Sequence, residues 1–307
     1  MIYTVTFNPA VDYVMRTKEI EFGATNRSQS EELYFGGKGI NVSVVLQHLG
    51  LASTALGFVA GFTGAALEQS LAQQGITTDF VQLHNGFTRI NVKLKTKEET
   101  EINAQGPDIS PEALEELFQK LNALQSGDIL VLAGSIPGSL PQDVYEKILA
   151  ALSPKGISFV VDATKDLLRN VLPYHPFLIK PNQHELGELF GKKLSGTDEI
   201  AASARKLQKM GAKNVLVSRG KHGAVLVTET GAVLTAKAAV GTMRNTVGAG
   251  DSMVAGFLFG WQRSGDYADA LRCGIAAGGA TAFSDGLAQR EDFLKLLAQS
   301  EGKSANG

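Results

Sequence analysis

Asp128-Ile129-Leu130-Val131-Leu132-Ala133-Gly134-Ser135 carries the clearest fold signal in the sequence. Ile129 to Ala133 is apolar without alternation, bounded by Asp128 on one side and Gly134-Ser135 on the other. A strand that is apolar on both sides is covered on both faces, and strands of that kind belong to a parallel sheet flanked by helices. Upstream, Ser110-Pro111-Glu112 reads as a helix start, with Ser as cap and Pro at the first helical position. Downstream, Pro141 to Leu152 reads as a helix and Ser158 to Val161 as the next strand, ending at Asp162. Strands alternating with helices predict an α/β fold with a mostly parallel central sheet.

The same rhythm extends to both ends. Ile2 to Phe7 is strand-like and runs into Asn8-Pro9-Ala10, with Asp12 just beyond. Apolar residues at 42, 45, 46 and 49 predict a helix stopped by Gly50. Ser53 to Gly57 and a helix from about Gly64 to Gln74 make another unit, and Asp79 to Leu83 reads as a strand. Later strands are expected at Phe177 to Ile179, Val215 to Val217, Ala224 to Val227 and Ala232 to Leu234. Two helices and a short third close the chain, with 303–307 read as a frayed tail. Two insertions, about 11–35 and 86–104, break the rhythm. Arg27 to Tyr34 alternates without helical spacing, and Thr88 to Leu94 with Glu99 to Asn103 forms a hairpin pattern. These insertions are read as strands of one small sheet lying over the main one, within a single domain spanning 1–307.

Composition narrows the functional classes. At 44% hydrophobic and 20% charged, the chain has the make-up of an ordinary soluble globular protein. Lys plus Arg (29) nearly balances Asp plus Glu (31), which gives no footing for nucleic acid or a membrane surface. No apolar run approaches membrane-spanning length, and a cytoplasmic location is expected. The single cysteine, Cys273, excludes an internal disulfide and most structural zinc sites; its apolar neighbours predict a buried thiol. The histidines at 48, 84, 175, 184 and 222 show no metal-ligand spacing.

Chemistry-bearing residues gather at strand ends: Asp12, Ser135, Asp162, Lys180 with Asn182, and Ser218. In an open parallel sheet the carboxyl edge is where ligands bind. Two glycine clusters open helices there. One is Gly36-Gly37-Lys38-Gly39, with Asn41 following; the other is Asn245-Thr246-Val247-Gly248-Ala249-Gly250-Asp251. A helix start concentrates unpartnered amides and positive partial charge, and Gly248 and Gly250 let that backbone approach an anion such as phosphate. Asp251 adds a carboxylate on the first turn. An anion cradle beside a carboxylate base is what phosphoryl transfer to an alcohol needs, although a plain glycine-rich helix cap reads the same way. Neither cluster is a dinucleotide fingerprint, and Gly302-Lys303-Ser304 lacks the upstream glycine and strand of a phosphate loop. Asn182 and Glu185, three apart at a helix start, can face one spot.

Gly36 to Ser43 resembles the N-terminal signature of the PfkB (ribokinase-like) sugar kinases, and Thr246 to Asp251 their C-terminal signature. Asn182-Gln183-His184-Glu185 is similar to that family's Asn-x-x-Glu motif. The resemblance covers essentially the whole chain. It implies a three-layer α/β/α domain with a small β-sheet lid, transfer of the ATP γ-phosphate to a sugar hydroxyl, Mg²⁺, and a homodimer paired through the lid. Thr6 to Asp12, Thr88 to Leu94 and Val247 to Met253 are most similar to bacterial members acting on fructose 1-phosphate, with kinases of tagatose 6-phosphate and fructose 6-phosphate close behind.

By that resemblance Asp251 is the base, and the amides of Gly248, Ala249, Gly250 and Asp251 stabilise the transferring phosphoryl group. Asp12 and Asn41 hold sugar hydroxyls together with the backbone of Gly37 to Gly39, and Ser135 borders the substrate. Arg89, Lys38 and Arg27 are candidates for the phosphate already on the sugar, with Arg89 favoured for its planar fork. Asn182 and Glu185 act on Mg²⁺ through water, Lys180 reaches the ATP phosphates, and Ser218, Gly220 and Gly223 lie under the nucleotide. A non-catalytic nucleotide or sugar-phosphate sensor on the same scaffold is the alternative from another class.

Overall fold

The computed structural model describes residues 1–302; the tail read at 303–307, with Lys303 and Ser304, lies outside them. The chain opens with β1 (Ile2–Thr6), β2 (Ala10–Arg16), β3 (Ser30–Gly36) and α1 (Lys38–Leu49). β4 (Ser53–Ala60), α2 (Gly61–Gln73), β5 (Thr77–Thr78) and β6 (Val81–Leu83) follow, then the hairpin of β7 (Arg89–Lys95) and β8 (Glu99–Ile102). Next come α3 (Pro111–Asn122), β9 (Ile129–Ala133), α4 (Val144–Leu152), β10 (Ser158–Asp162) and α5 (Lys165–Val171). They lead to β11 (Leu178–Ile179), α6 (Gln183–Leu189), α7 (Thr197–Lys209) and β12 (Asn214–Ser218). β13 (Ala224–Val227), β14 (Val233–Ala236), α8 (Ala249–Ser264), α9 (Tyr267–Ala282) and α10 (Arg290–Gly302) complete the described residues.

The uninterrupted apolar run of β9 lies where both its faces are covered. It pairs in parallel with β1 and β10 in a sheet ordered β14-β13-β12-β11-β10-β9-β1-β4-β5, with β6 beside β4. Only β13 and β14 run antiparallel to their neighbours in that sheet. Because side chains alternate along a strand, Leu130 and Leu132 enter one core layer with Leu117, Ile148, Leu168 and Leu207. Ile129 and Val131 enter the other, with Val45, Phe257, Cys273 and Phe293. A sheet between two helical layers is the three-layer α/β/α architecture anticipated above, and Cys273 is buried in it.

A separate four-stranded sheet, ordered β3-β2-β7-β8, carries the two insertions. Its two faces differ in chemistry. One rung, Leu33–Tyr13–Val92–Ile102, is apolar across all four strands. The next residues on β2 and β7, Asp12 and Asn91, put polar groups on the opposite face.

Several sequence expectations need correction. Arg27, expected on the exposed strand, sits in the loop ahead of β3: Asn26 Oδ1 accepts from Glu21 N and its Nδ2 donates to Glu21 O, which closes that loop, and the ladder begins at Ser30. Asp12 is on β2 of the small sheet rather than at the end of β1. α4 begins at Val144 because Val144 N closes a turn onto Pro141 O at 3.1 Å. α5 and α7 were not anticipated, although Ile200, Ala204 and Leu207 in α7 have helical spacing and are buried. Among the described residues no helix is long and apolar enough to cross a membrane.

Candidate active site

Two helix N-termini meet at the carboxyl edge of the main sheet. α1 is seated on β1, whose Thr6 Oγ1 accepts from Ile40 N at 3.0 Å. A Cβ at Gly39 would stand 2.6 Å from Thr6 Oγ1 and 2.7 Å from Val5 O, so only glycine admits this approach. α8 begins after Gly248, which has φ +77° and contributes no side-chain cap. Gly248 also lies under Leu287, which a Cβ would meet at 2.6 Å. Ala249 N bonds Thr246 O at 3.4 Å, and with no side-chain cap the amides of Gly250 and Asp251 face the opening of the helix.

Asp251, on that first turn, is 5% exposed, and its Oδ2 accepts from Asn41 Nδ2 at 2.8 Å. Burial, and then the nearby Asp162 carboxylate, push its pKa up to about 6, against the Asn41 hydrogen bond and the charges of Lys38 and Lys180. Its neighbours are polar and charged, so it faces the sheet edge rather than the apolar interior. Asp162, buried at the end of β10, takes one lysine on each oxygen: Lys38 on Oδ2 and Lys180 on Oδ1, both at 3.4 Å. Burial works against charge on Lys38, yet the carboxylates of Asp162, Asp251 and Glu185 hold its pKa above the ordinary value. A Cβ on Gly250 would lie 3.1 Å from Lys180 Nζ, so this ammonium stands directly against the start of α8. Amides, two ammonium groups and a carboxylate of raised pKa share one small volume. That combination can hold a phosphoryl group and accept a proton beside it.

Asn182 and Glu185 form a capping box: Glu185 N donates to Asn182 Oδ1 at 2.9 Å, and Asn182 N donates to Glu185 Oε2 at 2.8 Å. The box ties up one carboxylate oxygen and leaves Oε1 outside it. Asn182 also bridges to Ser218, bringing the β11 and β12 ends together. Beyond Ser218, Gly220 has open space around it, whereas Gly223 at φ +83° is pressed onto the Ala236 carbonyl. Packing alone thus accounts for the glycine at 223. Among the described residues no group of three or more His, Cys, Asp or Glu could hold a metal ion. The oxygen donors near Lys38 suit a hard cation brought in by phosphates, not one held in a protein cage.

On the small sheet, Asp12 accepts from Asn91 Nδ2 at 2.8 Å and pairs with Lys93 at 3.1 Å. Arg89 donates to Asn8 O at 3.2 Å and Ala104 O at 3.3 Å; burial lowers its pKa and Asp12 opposes that. A cleft of about 390 Å³ opens between this sheet and the body, lined among others by Asp12, Gly37, Asn41, Lys93 and Leu287. Of the sequence candidates, Asp251, Gly250, Lys38, Asn41 and Lys180 converge on one point. Lys38 lies with Asp162 and Asp251. Ser135 is exposed just past β9, and Arg27 is exposed and does not line the cleft. In the sequence Asp162 is only a strand-end residue and Asn91 and Lys93 carry no signal, because a lysine between Val92 and Leu94 in an alternating run looks like solvated charge.

The chain belongs to the pfkB family of carbohydrate kinases, whose profile matches residues 4–292. It is therefore a phosphotransferase. It is 46% identical over 299 residues to the 1-phosphofructokinase of Bacillus subtilis strain 168, covering 97% of this chain and 98% of that one. It is 40% identical over 288 residues to the D-tagatose-1-phosphate kinase of Bacillus licheniformis, covering 94% of each. Phosphofructokinase-2 from Escherichia coli, solved in complex with substrates and products, superposes with a TM-score of 0.92 at 29% identity, covering 98% of this chain and 99% of that one.

Proposed function

We propose that this kinase transfers the γ-phosphoryl group of ATP to the C6 hydroxyl of fructose 1-phosphate, giving fructose 1,6-bisphosphate and ADP. The observation that carries the chemistry is the buried Asp251, hydrogen-bonded to Asn41 and flanked by two lysines at the open start of α8. Asp251 takes the proton of the attacking hydroxyl as the new O–P bond forms and the bond to the ADP oxygen breaks. The amides of Gly248 to Asp251, with Lys38 and Lys180 held by Asp162, offset the charge on the phosphoryl oxygens in transit. Asp12 accepts from a sugar hydroxyl, Asn41 donates to one, and Arg89 grips the phosphate at the far end. Ser218, Gly220 and Gly223 border the nucleotide. Magnesium entering with ATP would neutralise phosphate charge, its waters held by Asn182 and the free oxygen of Glu185.

The two relatives above are named for ketohexose 1-phosphates that differ only at C4, which favours that class over 6-phosphates. A second copy of the chain is the partner we assign to the small sheet, whose outer rung leaves Leu33 58% and Ile102 59% exposed. The test is ADP release with fructose 1-phosphate, tagatose 1-phosphate, fructose 6-phosphate and tagatose 6-phosphate. The first should give the highest kcat/KM. ATP binding without ADP release on any of the four would overturn the kinase reading in favour of a sensor.

A further inference from the structure

β7 carries two side chains that the reaction above leaves without a role. Asn91 is in register with Asp12 on the adjacent β2, and Lys93 lies two residues along the same face. Asn91 Nδ2 donates to Asp12 Oδ1 at 2.8 Å and Lys93 Nζ reaches Asp12 Oδ2 at 3.1 Å, so each carboxylate oxygen has its own donor. Lys93 is steadied from its far side by Glu101 on β8 at 3.5 Å. These are buried groups on a small sheet, Asn91 7% and Lys93 8% exposed. Burying an ammonium and an amide costs stability unless both are fully paired. Here the pairing is incomplete. Turning the Asn91 oxygen toward Asp12 would oppose two acceptors, so its NH₂ faces the carboxylate and Oδ1, buried, has no hydrogen-bond partner among the described residues. An orphaned buried acceptor is a cost that a residue present only for stability has no reason to carry.

We infer that Asn91 and Lys93 are positioning residues for the sugar phosphate: from the neighbouring strand they clamp the Asp12 carboxylate in one orientation toward the cleft. This rests on the reading of Asp12 as the acceptor of a sugar hydroxyl. An unclamped aspartate turns about two side-chain bonds, and ordering it on binding weakens affinity; the clamp does that ordering at folding. Lys93 also cancels a negative charge that would repel a phosphorylated sugar. Asp12, Asn91, Lys93 and Glu101 all belong to the small sheet, so the clamp moves with it as a unit.

The test measures Asn91→Leu, Lys93→Met and Lys93→Arg for both KM values, kcat and melting temperature, with the ketohexose phosphate that the wild type uses. Loss of one charge-assisted bond to Asp12 should raise the sugar-phosphate KM about tenfold in Asn91→Leu and Lys93→Met. The KM for ATP should stay within about twofold and kcat within about threefold, since the transferring group is untouched. Lys93→Arg, which keeps a donor and its charge, should stay within about threefold of wild type in sugar-phosphate KM. Asn91→Leu should melt close to wild type, because the lost bond to Asp12 and the removal of the orphaned acceptor offset each other. An unchanged sugar-phosphate KM in Asn91→Leu, or an equal rise in both KM values, overturns the clamp and makes these residues framework of the sheet. Should Lys93→Met fail to fold, Asn91→Leu and Lys93→Arg decide. Wild type that releases no ADP with any ketohexose phosphate defeats the kinase reading instead. The clamp is then judged by calorimetric binding of fructose 1-phosphate to wild type and Asn91→Leu, and equal affinities overturn it.

Discussion

In the proposed reaction Asp251 meets two opposed demands: it must be ionised to accept a proton, and it sits where ionisation is disfavoured. Its pKa near 6 in the free protein means that kcat/KM should rise with pH through about 6 as the carboxylate ionises, which a pH–rate profile checks. The stability consequence has the reverse sign. The folded protein holds this proton more tightly than the unfolded chain, whose carboxyl has the ordinary value of 3.8. The cost of an ionised Asp251 is therefore absent below the ordinary range, grows as pH rises between the two values, and is complete above about 6. Asp251→Asn should accordingly cut kcat by about 10²–10⁴-fold. At pH 7 it should melt no lower than wild type, and any gain should vanish near pH 4; a marked loss of melting temperature at pH 7 would contradict the burial argument. The proposed role of Arg89 is separable, since a grip on the sugar's own phosphate would hold ground state and transition state alike. Arg89→Ala should raise the sugar-phosphate KM by roughly 10–100-fold with kcat little changed, measured by steady-state kinetics.

At the scale of elements, the site depends on how closely α8 lies against its neighbours. α8 packs on α9 through glycines: a Cβ at Gly256 would meet the Cys273 carbonyl and stand 2.6 Å from Ala277 Cβ. Overpacking of this kind costs about 1–3 kcal/mol. Gly256→Ala should therefore lower the melting temperature by roughly 2–4 °C per kcal/mol lost, read by calorimetry. Because α8 carries Asp251 and, in the proposed reaction, the amides that hold the phosphoryl group on its first turn, the same substitution should also lower kcat. Gly39 plays the matching part for α1, where β1 leaves no room for a side chain beneath the helix start. Close helix approach and phosphoryl binding are thus one design.

For the whole molecule, the small sheet has two chemically different faces, to which we assign different tasks. Its cleft face holds Asp12 and the pairs around it, while the row Leu33–Tyr13–Val92–Ile102 presents apolar surface outward. A partner copy covering that row would fix the orientation of the small sheet over the cleft. Leu33→Glu with Ile102→Lys should shift the protein to monomer in sedimentation velocity and raise the sugar-phosphate KM. A chain that sediments as a monomer before substitution would end the dimer assignment.

The amino-acid sequence alone determined the architecture and the end of it that works. Uninterrupted apolar strands such as Ile129 to Ala133 and glycines before helices are local signals, because covering both faces of a strand and admitting an anion both restrict residue type where they occur. The Asp251 cradle was legible for that reason. Pairings across distant parts of the chain were not: the sequence marks Asp12, Lys38, Asp162 and Lys180 one by one, but not that Asp162 meets both lysines or that Asp12 meets Asn91 and Lys93. Only the packed sheet brings β10 beside β11 and β2 beside β7, and only burial there turns those charges into obligatory partners. Whether a carboxylate is a base, a strap or a clamp depends on which neighbours replace its water, and tertiary packing alone decides that.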